Sequence, residues 1–189
     1  CQDARKTGYV GGIPDEDKIW AKVSSGDIRS QGFDLNGGWV PWYTLHKLWA
    51  GLIDAYRYAG SEQAKEVGIK LSDWAVRSFG GLSEEEFQKM LACEFGGMNE
   101  SFADMYAITG NESYLKLARQ FYHKAILDPL KEQRDELEGK HSNTQVPKII
   151  GEARLYELTG DKDIHTIATF YWDRIVNHHT YVNLSLIHI

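Results

Sequence analysis

A chain of 189 residues with 42% hydrophobic and 25% charged side chains can bury a real core, and it is too apolar for a disordered chain. Its formal net charge of −6 argues against a nucleic-acid partner, which selects a basic face. No apolar run approaches the ~20 residues that cross a bilayer, and Cys1 and Cys93 make neither a disulfide framework nor a complete metal cluster.

In chain order, the opening at Cys1, without Met or a signal pattern, leads us to expect missing upstream residues. Gly8-Tyr9-Val10-Gly11-Gly12-Ile13-Pro14 follows. It lacks the phosphate-cradle spacing and the Lys-Ser/Thr that completes it, so it reads as a backbone-close loop at the mouth of a cleft. Leu45, Leu48, Trp49, Leu52, Ile53 and Tyr56 then recur at helical spacing, as do Leu71, Trp74, Ala75 and Phe79. The same periodicity returns in Tyr114, Leu117, Ala118, Phe121 and Tyr122, and again in Ile164, Ile167, Ala168, Tyr171, Trp172 and Ile175. Strand alternation is found only over Thr180 to Val182.

Three segments between these helices are alike. Tyr56, Tyr106 and Tyr156 are each followed four residues later by Gly60, Gly110 and Gly160, at a period of 50. A glycine that stops one helix in the left-handed conformation, followed by Ser61, Asn111 or Asp161 to cap the next, is the tight turn of an αα-hairpin. Fifty exceeds the ~34 residues of tetratricopeptide or ankyrin repeats, and accommodates two helices plus a working loop. The fold class is all-α. αα-hairpin repeats of this kind stack into a ring, and three of them make about half of an (α/α)₆ toroid. We expect residues 1–183 to be part of such a domain. One coding sequence for Leu184-Ser185-Leu186-Ile187-His188-Ile189 is the start of a sequencing-library adapter, so residues 184–189 are expected to be a non-native tail.

Polar residues gather just before each inner helix: Trp42, Tyr43 and His46 in the first repeat, Asn99 and Glu100 in the second, His141 and Gln145 in the third. Stacked hairpins would set them around one rim, where helix N-termini also offer donors. His, Asn, Glu and Gln beside Trp and Tyr suit a hydroxyl-rich ligand. Each has a plainer reading too. Asn99, Ser142, Asn143 and Thr144 can cap helices, Glu100 can serve the helix dipole, and His46 can be a satisfied helix residue; the aromatics can be core. His141, between Gly139 and Pro147, has no evident structural task. Catalysis is less legible. Glu94, Glu100 and Asp34 form no evident carboxylate pair of the kind glycosidases use, and no nucleophile triad or metal motif appears, so no catalytic residue is assigned.

The strings Trp39-Val40-Pro41-Trp42-Tyr43-Thr44-Leu45-His46-Lys47, Glu94-Phe95-Gly96-Gly97-Met98-Asn99-Glu100 and His141-Ser142-Asn143-Thr144-Gln145-Val146-Pro147-Lys148 resemble glycoside hydrolase family 127, the β-L-arabinofuranosidases. The resemblance runs from about residue 8 to 183. It implies an (α/α)₆ catalytic toroid that releases β-linked L-arabinofuranose with retention. It also implies a zinc-held cysteine thiolate as nucleophile and a separate Glu as acid/base. Those catalytic and zinc-ligating positions match no residue here, and Cys93 does not match a zinc ligand. What carries over is sugar contact: His141 matches a histidine expected to touch the sugar, and His46, Asn99 and Glu100 lie in matching motifs. The expectation is therefore a carbohydrate-binding part of a glycosidase that needs the remaining half of its own domain, with zinc in the full-length protein and none in this portion. A non-catalytic helical-repeat binding module is the alternative.

Overall fold

The computed structural model describes residues 2–180. After α1 (Gln2–Arg5) and α2 (Glu16–Ser24) comes a small antiparallel meander, β1 (Ser30–Gln31), β2 (Asp34–Leu35) and β3 (Gly38–Trp39), in the order β1-β2-β3. Then α3 (Pro41–Ala59) and α4 (Glu62–Phe79) form the first hairpin, with α5 (Glu84–Leu91) behind it. The second hairpin is α6 (Met98–Thr109) and α7 (Glu112–Gln120), followed by α8 (Lys124–Lys131); the third is α9 (Ser142–Thr159) and α10 (Lys162–His178). The chain is an all-α helical-repeat fold.

The expected turns are present in full. Gly60, Gly110 and Gly160 take φ of 66°, 72° and 68° at the C-caps of α3, α6 and α9. Ser61 accepts from the Ala64 N–H, Asn111 from Ser113, and Asp161 from Asp163 and Ile164. Each cap satisfies a donor that a helix start leaves orphaned. The working loop of the repeat is more regular than expected, because α5 and α8 are short third helices within it.

Two local expectations are corrected. Strand structure occupies 30–39 rather than the region of Thr180, which is outside any strand; Tyr181 and Val182 lie outside the described residues, as do Cys1 and the tail at 184–189. The signal for the meander was Asn36-Gly37. Both residues are left-handed, with φ of 52° and 88°, which is the two-residue hairpin turn that Asn-Gly favours. The glycine loop at 8–14 is close to its surroundings, but against the outer helix α4 rather than a cleft mouth. A Cβ on Gly8 would run into the Lys70 carbonyl, Arg77 donates to the Thr7 carbonyl at 2.7 Å, and the Tyr9 ring lies 4.5 Å from that of Trp74.

The inner helices α3, α6 and α9 lie side by side with α6 in the middle, so α6 is buried on nearly every side from Met98 to Met105. The outer helices cover them. Most of the aromatic residues were spent on this core: Trp42, Trp49, Phe79, Phe87, Phe95, Phe102 and Phe121 are all fully buried, largely edge-to-face. Asp104 ties the three inner helices together. It accepts from both Arg57 terminal nitrogens at 2.7 and 2.8 Å and from Arg154 Nε at 2.8 Å, joining α3 and α9 through α6.

Candidate functional site

The inner helices do not start level. α3 and α9 begin 15 and 14 residues before their landmark tyrosines, whereas α6 begins eight before Tyr106. The missing two turns of α6 are replaced by the irregular segment 93–97, which lies recessed between the N-termini of its neighbours. Glycines make this possible: Gly96 has φ of 60°, and a Cβ there would stand 2.6 Å from His46 Nδ1.

Around this recess the structure assembles part of the expected rim. From α3 comes His46, buried, whose Nδ1 accepts the Gly97 N–H at 3.3 Å. Burial, helped by Lys47, holds its pKa down to about 4. The ring is thus neutral, with Nε2 carrying the proton. Tyr43 stands beside it at 6.4 Å, half-exposed, with the Lys47 ammonium 4.8 Å over its face. From α9 comes His141, in the N-cap position, its ring 6.0 Å from Phe33. Gln145 sits one turn further on and accepts from Lys148 Nζ at 2.7 Å. Glu94, in the recess, bonds Thr144 and feels both His141 and Lys148; burial raises its pKa.

Of the remaining expected site residues, Trp42 and Asn99 fall elsewhere. Trp42 is corrected to a core residue: it is 1% exposed, its rings lie 5.0–5.1 Å from Trp20, Phe79 and Phe121, and its N–H donates to Met90 Sδ. Neither of its faces is open to a ligand. Asn99 is inside α6 rather than at its cap. Fully buried, it donates to the Lys148 carbonyl at 3.0 Å and to Glu152 Oε1 at 3.1 Å, and so fastens α6 to α9. Glu100 stays at the recess: half-buried on α6, its Oε2 would stand 3.2 Å from a Cβ on Gly97, which would also lie 3.0 Å from His46 Nε2, and burial and then Asp104 raise its pKa.

Sequence reasoning missed the residues under the rim. Lys148 is 1% exposed, donates to Gln145 and contacts His123 Nδ1 at 2.8 Å, and lies 4.8 Å over the Phe95 ring. Burial pulls its pKa down to about 7. Glu152, equally buried, has one oxygen on Asn99 and the other without a partner among the described residues, and burial raises it to about 7. The signal was available: His141, Gln145, Lys148 and Glu152 are spaced 4, 3 and 4 apart, one stripe of a helix. The stripe that α9 buries is polar.

A pH experiment follows from Glu152. Its folded pKa is raised, so between about 4.5 and about 7 the native state holds more protons than the unfolded state and stability falls as pH rises. Glu152→Gln mimics the protonated form. Its stability relative to wild type should therefore climb through that window and level off above pH 7, by ~1–3 kcal/mol. Urea melts at pH 4.5, 6 and 8 measure it; a difference that does not change with pH would refute the assignment.

The described residues offer zinc no cage. Cys93 is buried, donates weakly to the Glu94 carbonyl, and its thiol is pushed up to about 12 by burial and by Asp34 and Glu94. Among the described residues no three His, Cys, Asp or Glu side chains converge as a metal cage.

The described residues form an all-α hairpin array with a histidine- and carboxylate-bearing recess at the N-termini of its inner helices. The chain belongs to the β-L-arabinofuranosidase GH127 catalytic-domain family, whose model matches residues 1–183. No curated protein gave a significant match. Membership makes the chain part of a glycoside hydrolase-type domain.

Proposed function

We propose that the recess holds the sugar of a β-linked L-arabinofuranoside, as part of a retaining β-L-arabinofuranosidase whose hairpins close into an (α/α)₆ ring. The observation that carries this is the convergence of His46, Glu94, His141 and Gln145, from three successive repeats, on one recessed segment. A neutral imidazole offers an N–H, a carboxylate accepts, and an amide does both, which matches the alternating donors and acceptors of sugar hydroxyls. Tyr43 supplies an aromatic edge. Ile150, Trp172 and Val176, exposed on the third hairpin, form the kind of apolar edge that a further hairpin would cover in such a ring.

In this reading the described residues hold the sugar and do not cleave it. The zinc and its thiolate nucleophile are assigned to residues other than these: Cys93 is buried in the core, and among the described residues no three His, Cys, Asp or Glu side chains converge on a metal. Titrating the chain calorimetrically with methyl β-L-arabinofuranoside tests the proposal. Binding is expected, and His141→Ala should weaken it about ten-fold, the ~1.4 kcal/mol of a well-formed polar contact. Equal affinity in the variant would remove His141 from the site. Aryl β-L-arabinofuranosides should not turn over; hydrolysis would overturn the division of labour.

A further inference from the structure

A second ligand surface adjoins the recess. Trp39 is 72% exposed and Phe33 39%, and the two lie side by side. They are not loosely placed. Phe33 is in the β1–β2 turn and Trp39 on β3, their rings 5.4 Å apart and tilted by 37°. The edge of Phe33 then meets His141 at 6.0 Å and 88°. The pair thus runs outward from the recess without a gap.

The meander under the pair is held by hydrogen bonds. Phe33 accepts the Val40 N–H at 2.8 Å, Gly32 accepts the Glu94 N–H at 2.8 Å, and Asn36 is bonded to the backbone of Asp27 and Arg29 at 2.6 Å each. Val40 itself takes φ of 37°, a strained value for a β-branched residue. That strain turns the chain sharply from β3 into α3 and leaves Trp39 facing outward. Asp34 pairs with Trp39 across the ladder, so its exposed carboxylate lies on the same face as the indole. An open ring face beside a hydroxyl acceptor suits the apolar face and the hydroxyls of a sugar.

We propose that Trp39, Phe33 and Asp34 form a stacking platform for the next sugar units of the glycan whose terminal residue lies in the recess. The platform makes the site prefer oligosaccharides over monosaccharides. This rests on the sugar-holding reading of the recess, and its test separates the two. The full chain and its Trp39→Ala, Trp39→Phe and His141→Ala variants are titrated with methyl β-L-arabinofuranoside and with a β-linked L-arabinofuranosyl trisaccharide. Self-association is followed by sedimentation velocity.

Wild type should bind the trisaccharide more tightly than the monosaccharide. Trp39→Ala should lose about three- to ten-fold for the trisaccharide, the range of one aromatic contact, with the monosaccharide unchanged. Trp39→Phe should retain most of the affinity, which excludes misfolding as the cause. Should Trp39→Ala bind the trisaccharide as wild type does while His141→Ala weakens both sugars, the platform falls and the recess stands. Loss in Trp39→Ala with no effect of His141→Ala keeps the platform and removes His141 from the site. Absence of binding by either sugar overturns both. Reduced self-association in Trp39→Ala with unchanged sugar affinity makes the pair a protein-contact face and refutes the platform.

Discussion

Trp42→Ala should destabilise the domain by about 3–5 kcal/mol, the range for removing a large buried aromatic. The indole is 1% exposed and stands where three neighbours meet, 5.0 Å from Trp20 and 5.1 Å from Phe79 and Phe121. Truncation leaves a cavity that three rigid rings on α2, α4 and the end of α7 are poorly placed to close, and it strands the N–H contact to Met90. Trp42→Phe keeps most of the volume and should recover much of the loss. Urea denaturation of the three proteins provides the comparison. A variant with wild-type stability but no sugar binding would return Trp42 to the ligand site.

Gly151→Ala should be destabilising by about 2–4 kcal/mol, against the usual direction. In an exposed helix interior this substitution gains up to ~1 kcal/mol from helix propensity. Here the added Cβ would fall within the Asn99 side-chain amide. That amide has nowhere to go, since it is fully buried and held by the Lys148 carbonyl and Glu152. Moving it breaks two buried hydrogen bonds at ~1–3 kcal/mol each, or separates α6 from α9 with the loss of packing. The clash therefore outweighs the propensity. Gly51 holds the same position in the first repeat and meets nothing within 4 Å, so Gly51→Ala is the internal control. The double variant Asn99→Ala/Gly151→Ala should be more stable than the sum of the single changes predicts. A Gly151→Ala protein that melts above wild type would disprove the interlock.

Both results concern residues that look alike in the sequence and differ in the fold. Trp42 and Trp39 are three apart in one motif, and one is core while the other is the most exposed tryptophan. Asn99 reads as a cap and is an interhelical bolt. Glu152 and Lys148 drew no reading of their own from the sequence, and both are sealed beneath the rim. His141 and His46 were legible as rim residues because their landmarks gave their place in the repeat.

The sequence by itself determined the hairpins. A left-handed glycine and the cap that follows it act over four or five residues, so Gly60-Ser61, Gly110-Asn111 and Gly160-Asp161 specify their turns without help from the rest of the chain. The period of 50 then orders the helices into inner and outer sets. What only the tertiary structure decided is how one repeat meets the next. The bonds that build the site span 51 residues from His46 to Gly97, 49 from Asn99 to Lys148 and 53 from Asn99 to Glu152, each about one repeat long. Such pairs depend on the relative height and rotation of neighbouring helices, which no local pattern encodes. Shortening α6 by two turns opened the recess, and turning the polar stripe of α9 inward furnished it.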